Sequence, residues 1–205
     1  MKKPNSIDPL VKKANAKIQK WIALGDQSAD LDLSSLTSAV GLTLPESVGG
    51  DLDLSSLASA EGLKLPTNVG RSLDLYSLTS AEGLTLPKTI GGELTLTRLT
   101  SAVGMTLPIS IKWTLDLRGL TSAVGLTLPE NIGTLLLQSL TSAEGLKLPT
   151  NIKGSLRFEA LTSAVGLKLP ESVGADLALG YNLTNADRKA LRERHPNLAE
   201  KIKDL

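Results

Sequence analysis

The sequence predicts a repeat solenoid, mainly β, with helical segments at both ends. Three observations carry this. A unit of 21 residues recurs almost unchanged, each unit holds two Leu-x-Leu alternations, and the flanking segments switch to helical spacing. The first copies read LDLSSLTSAVGLTLPESVGGD from Leu31, LDLSSLASAEGLKLPTNVGRS from Leu52 and LDLYSLTSAEGLTLPKTIGGE from Leu73. Others begin at Leu94, Leu115, Leu135 and Leu156, with a partial eighth at Leu177. A fixed period of this length marks coils too small to bury their own apolar face, which stack to share one. The expected organisation is a single structural domain. It has a helical cap over residues 1–30, seven full repeats and part of an eighth over 31–183, and a second helical cap over 184–205.

The N-terminal segment comes first. Asp8-Pro9 reads as an N-cap followed by proline at the first helical position. Leu10, Ala14, Ile18, Trp21 and Ile22 then recur at helical spacing until Gly25 stops the helix. That face is expected to lie on the first coil, with Lys12, Lys13, Lys17 and Lys20 toward water.

Within a coil, Leu31-Asp32-Leu33 and Leu42-Thr43-Leu44 alternate with period two, the mark of short strands with one buried face. Parallel ladders are expected down two columns. One runs through Leu33, Leu54, Leu75, Leu96 and Leu117; the other runs through Leu44, Leu65, Leu86, Leu107 and Leu128. Pro45 lacks an N–H, so the chain is expected to leave the sheet there. Gly41 and Gly49-Gly50 give freedom where the path bends, and Thr37 and Ser38 can bond local backbone groups.

After the last repeat, Thr184 and Asp187 form a capping-box pattern. Ala186, Ala190 and Leu191 give that helix an apolar side until His195-Pro196 ends it. Asn197 with Glu200 reads as the cap of a last short helix carrying Leu198, Ile202 and Leu205.

The LxL core, the later LxLP and the helical N-terminus together resemble bacterial leucine-rich repeat proteins, closest to their irregular class of about 21 residues. The resemblance covers roughly residues 31–183. It implies a right-handed solenoid of parallel strands and a protein-binding role. The usual LxxLxLxxNxL carries an asparagine that ties adjacent turns, whereas this chain has Leu36, Leu57 and Leu78 there. Gly49 and its counterparts also stand where an apolar residue is expected. A straighter β-solenoid with two parallel sheets is therefore the alternative architecture.

Composition narrows the function. A formal net charge of +1 lacks the basic excess of general nucleic-acid binders. The absence of cysteine removes disulfides and thiolate metal sites and fits a reducing compartment. The opening MKKPNSIDPLVKK has no apolar stretch behind its lysines, so no secretory signal is expected, and no run reaches membrane-spanning length. A cytoplasmic location is the expectation. His195 is the one histidine and sits beside a proline, which leaves no Ser-His-Asp set, no metal site and no enzyme. Gly49-Gly50 and Gly91-Gly92 are not followed by a lysine-bearing helix start, so they are not phosphate loops. No cofactor is expected.

Stacking turns equivalent positions into columns. Position 2 reads Asp32, Asp53, Asp74, Thr95, Asp116, Leu136, Arg157, Ala178. Its acidic stripe reads as a solvated edge that discourages aggregation, against a competing reading as a seat for a cation or basic partner. Position 13 carries Thr43, Thr85, Thr106 and Thr127, interrupted by Lys64, Lys147 and Lys168, a broken version of an ice-binding threonine array. The departures from the repeat point elsewhere. Tyr76, Arg98, Trp113, Arg118, Leu136 and Arg157 occupy outward or corner positions, and tyrosine, tryptophan and arginine are the usual anchors of protein interfaces. Coil five is also one residue short between Gly133 and Leu135, which is expected to bend the stack or open a notch. The function expected is a non-enzymatic protein-binding scaffold, monomeric, contacting another protein and neither nucleic acid nor membrane. The alternatives are a purely structural or idealised repeat with no ligand and, more weakly, an ice-binding surface.

Overall fold

The computed structural model describes residues 7–203. They form a parallel β-solenoid of about seven turns at 21-residue spacing, with a few helices near the termini. Helix α1 (Pro9–Ala23) precedes the strands β1 (Leu31–Asp32), β2 (Ser47–Val48), β3 (Leu52–Asp53), β4 (Asn68–Val69), β5 (Leu73–Asp74), β6 (Thr89–Ile90) and β7 (Leu94–Thr95). Two longer strands follow, β8 (Ser110–Asp116) and β9 (Asn131–Leu136). Then come β10 (Asn151–Ile152), β11 (Leu156–Phe158), β12 (Ser172–Val173) and β13 (Leu177–Leu179), followed by helix α2 (Asn185–Arg194) and a 3-10 helix (Pro196–Lys201).

One ladder runs through the first Leu-x-Leu of each coil, pairing Leu31 with Leu52, Leu52 with Leu73 and Leu73 with Leu94. Leu33, Leu54, Leu75, Leu96 and Leu117 stack inside, as their alternation requires. The second ladder lies elsewhere than the leucine pattern predicts. It pairs Ser47–Val48 with Asn68–Val69 and onward, three residues past Leu44. The side-chain reading of Leu42-Thr43-Leu44 survives in part, since Leu42 is buried and Leu44 half-buried against the core. Its backbone explains the shift. The Leu42 N–H is spent on the Ala39 carbonyl (2.9 Å), and Pro45 has no N–H to give. Too few donors remain there for a ladder. Proline therefore stands just before the second ladder rather than at its end, and inter-coil bonding resumes with Thr67 N–H to Glu46 O (2.9 Å) and Gly70 N–H to Val48 O (2.7 Å).

The corners use two devices. Gly41, at φ +84°, closes the turn that joins Leu42 to Ala39, a left-handed conformation that only glycine adopts freely. The Ser38 hydroxyl braces the same turn by accepting from Val40 N–H, and Ser59, Ser80 and Ser101 repeat that bond. Gly49 serves a different need. A Cβ there would lie 2.6 Å from the Gln27 carbonyl oxygen, so the coils could not approach.

Several adjacent coils are also stitched by the side chain one residue before the first-position leucine. Asp51 N–H donates to Asp30 Oδ1 (2.8 Å), Ser72 N–H to Asp51 Oδ1 (2.7 Å), and Ser155 N–H to Thr134 Oγ1 (3.1 Å). This column does the tying for which the sequence lacks an asparagine.

The two ladders merge in the middle of the stack. β8 and β9 run continuously across the corner that is elsewhere a glycine bend, joining all thirteen strands into one sheet. Their register is Ile111 to Ile132 before the corner and Thr114 to Thr134 after it. Lys112 and Trp113 therefore face Gly133 alone. The missing residue of coil five is absorbed as a β-bulge on the coil before it.

Helix α1 buries Val11, Ala14, Ile18 and Trp21 in the same core as the first coil. This corrects the expected face. Val11 belongs to it, while Leu10 and Ile22 flank it and stay exposed. Asp8 caps the helix through Leu10 N–H (2.7 Å). Asn15 then serves as a surrogate coil, donating to Gly41 O and accepting from Thr43 N–H, both at 2.9 Å. At the other end the Thr184–Asp187 capping box is formed. Leu191 is buried and Ala186 exposed, and Arg188 is buried beside Leu191. Its guanidinium donates to the carbonyls of Leu183, Gly180 and Lys203. The 3-10 helix starts at Pro196 with no side-chain cap, so Asn197 does not cap it. Leu198 and Ile202 are buried; Leu205 lies outside the described residues.

Candidate functional site

Because Leu31 and Leu33 point inward, the residues between and beside them build one outward face of the first ladder. Its columns are the residue before the strand, position 2 and position 4. Register places Asp74, Thr95, Asp116, Leu136, Arg157 and Ala178 side by side down the middle column. Of the six anchors named from sequence, Leu136 and Arg157 lie in that column, and Tyr76 and Arg118 in the next. Arg98 sits one residue beyond, its N–H on the Tyr76 carbonyl (3.3 Å). Trp113 is set apart on the bulge and is 58% exposed.

The aspartate stripe has a local cause. Asp32, Asp53 and Asp74 each accept the N–H two residues on, at 2.8–2.9 Å, turning the chain out of the strand. Asp116 does the same for Arg118 N–H (3.1 Å). Its surroundings differ, however. Its carboxylate is almost fully buried, accepts from Thr97 Oγ1 (2.9 Å), and takes Nε and Nη2 of Arg118 at 3.0 and 2.7 Å. Arg118 is thus engaged within the fold, and that pairing raises its basicity above the usual arginine. Asp116 ends β8 and Arg118 lies in the turn after it, so the pair closes across that turn rather than along one strand face. Arg157 reaches Glu159 and Asp176, both at 3.7 Å.

Electrostatics grade along the face. Burial pushes the Asp74 carboxyl up, and the charges on Asp53 and Asp116 push the same way. Burial and Asp116 likewise raise Glu93. At the more open end, the Ser34 hydroxyl and amide hold Asp32 below the usual carboxylate range. Gln138 donates to Glu159 (3.2 Å), but its buried Oε1 accepts no bond from a described residue. Sequence reasoning missed Gln138 because nothing local marks it.

No group of three or more metal-ligating side chains is placed to hold an ion among the described residues, and no described helix is long and apolar enough to cross a membrane. Thr43, Thr85, Thr106 and Thr127 are exposed, but on the wall that has no ladder. No protein-family description, curated protein or solved structure matches the chain.

Proposed function

We propose that this chain is a non-enzymatic protein-binding scaffold of the irregular leucine-rich-repeat type, whose working surface is the outward face of the first ladder in coils three to seven. What carries the reading is that Tyr76, Leu136 and Arg157 lie on that one face, with Leu136 and Arg157 side by side, while the core requires none of them. The ladders hold these side chains at fixed spacing, so little conformational freedom is lost on docking. Tyr76, with Arg98 beside it, and the Leu136–Arg157 pair are the anchors; Arg118 positions the face through Asp116. Trp113 is a secondary contact at the bulge.

The test is capture of a protein partner by the full chain, by a Tyr76→Ala/Arg157→Ala variant, and by a Lys64→Ala/Thr85→Ala variant on the unladdered wall. The face variant should lose roughly tenfold or more in affinity with unchanged melting, while the wall variant retains its partner. Equal binding by both variants overturns the reading.

A further inference from the structure

The two ends of the first ladder are finished differently. At the N-terminal end, α1 covers the stack, Leu31 is buried, and Lys17 Nζ donates to the Asp32 carbonyl. At the C-terminal end the 3-10 helix packs against β12, the last strand of the other ladder. β13 is left with an open edge. Leu177 is the one first-position leucine that is not fully buried, whereas Leu52, Leu73, Leu94, Leu115, Leu135 and Leu156 all are.

Backbone bonding says the same. In every earlier coil the first- and third-position amides donate forward to the next coil, as Leu33 N–H does to Asp53 O (2.8 Å), Leu137 N–H to Arg157 O (2.9 Å) and Leu156 N–H to Asp176 O (2.8 Å). The equivalent amides of Leu177 and Leu179 meet no acceptor among the described residues. Beside this edge lies a cleft of about 430 Å³, lined by the chain from Ala175 to Leu179, by Arg157 and Glu159 of the preceding coil, and by Tyr181, Arg188, Lys201 and Lys203. Tyr181 is 73% exposed at its rim.

We infer that this edge is a strand-addition site for an extended peptide segment of a partner, which docks as a ninth strand parallel to β13. A second copy of this chain would have to present its own first coil, which α1 covers with Leu31 buried, so a second copy is not the occupant. Continuing the ladder fixes what is recognised. The peptide's carbonyls accept from Leu177 and Leu179, and its central N–H donates to the Leu177 carbonyl. The residues on either side of the centre face inward over Leu177 and Leu179. The motif is therefore aliphatic-x-aliphatic, the pattern each coil presents to the one before it. The cleft shares Arg157 with the outward face, but the inference rests on the free edge of β13 and not on that proposal.

The test is residue-resolved amide exchange on the full chain, with the synthetic peptide GSLDLSS as probe. In the free chain the Leu177 and Leu179 amides should exchange far faster than those of Leu156 and Phe158. Saturating peptide should slow them on the order of tenfold or more. The peptide GSLPLSS, which lacks the central donor, and GSSDSSS, which lacks both leucines, should fail. Four results overturn the inference: protection of both amides in the free chain, no change with GSLDLSS, equal slowing by the proline peptide, or slowing by raised protein concentration alone, which makes a second copy the occupant.

Discussion

Arg118 grips Asp116 through two parallel bonds, Nε to Oδ1 and Nη2 to Oδ2, with the carboxylate 1% exposed and the arginine side chain 47% exposed. One coil later the same two places hold Leu136 and Gln138. The fold thus solves one surface position in two ways, by a charged pair and by an apolar residue.

The first prediction follows from that pairing. Arg118→Ala leaves Asp116 a nearly buried charge with only Thr97 and backbone support. A fully buried pair broken this way costs about 3–5 kcal/mol, and the half-open position of Arg118 reduces this to about 2 kcal/mol. The double substitution Asp116→Leu/Arg118→Gln, which copies coil six into coil five, should be near neutral. Denaturant melts of both variants check the contrast. Equal losses would mean that the pair is not what holds this position.

Core and column should respond in opposite ways. Leu96 is fully buried between coils on both sides, so Leu96→Ala should cost about 2–5 kcal/mol. Asp53→Asn keeps the oxygen that receives Ser55 N–H and relieves repulsion along the column, so it should be neutral or slightly stabilising. Asp53→Ala removes that acceptor and should cost about 1 kcal/mol. An asparagine variant as unstable as Leu96→Ala would mark Asp53 as a bound-ion or buried site.

These contrasts also mark what the sequence made legible. The first ladder and its leucine columns follow from period-two alternation, which states directly which face is buried. The second ladder is not legible because Leu42-Thr43-Leu44 shows the same alternation, while the paired strand, Ser47–Val48, is too short to display any. The bulge at Trp113 needs the register of two coils at once. The roles of Asn15, Gln138 and Arg188 rest on partners that no local pattern announces. Among the candidate anchors, outward placement was readable from position in the repeat, but the engagement of Arg118 by Asp116 was not.

His195 gives the end of the stack a pH dependence. Its Nε2 accepts from Leu169 N–H (3.3 Å), which requires the neutral ring. Burial, with Arg194 nearby, lowers its proton affinity below the ordinary histidine value of 6.5. The unfolded chain therefore takes up this proton first. The contribution to stability is complete above about pH 6.5 and is lost as pH falls through that value toward the depressed folded one. Melts at pH 7.5, 6.5 and 5.5 should show stability declining, and His195→Gln should flatten that slope. An unchanged slope in the variant contradicts the assignment.

The N-terminal helix should act as a cover. Asn15→Ala removes two backbone contacts of the first coil and should cost about 1–3 kcal/mol. Deleting residues 1–25 bares Leu31, Leu33 and the open side of β1, which invites end-to-end association. Light scattering should show the shortened chain associating while the full chain does not. A monomeric, equally stable truncation would make α1 a partner-binding helix instead.

The central claim is that two parallel ladders, one at the first Leu-x-Leu and one at the residues after the proline, hold the coils in register. Amide exchange across coils two to four measures this directly. The account predicts strong protection at Leu73, Leu75, Leu94 and Leu96 and at Gly70 and Gly91, with fast exchange at Leu65 and Leu86. Protection at Leu65 and Leu86, with Gly70 and Gly91 exchanging freely, would contradict it.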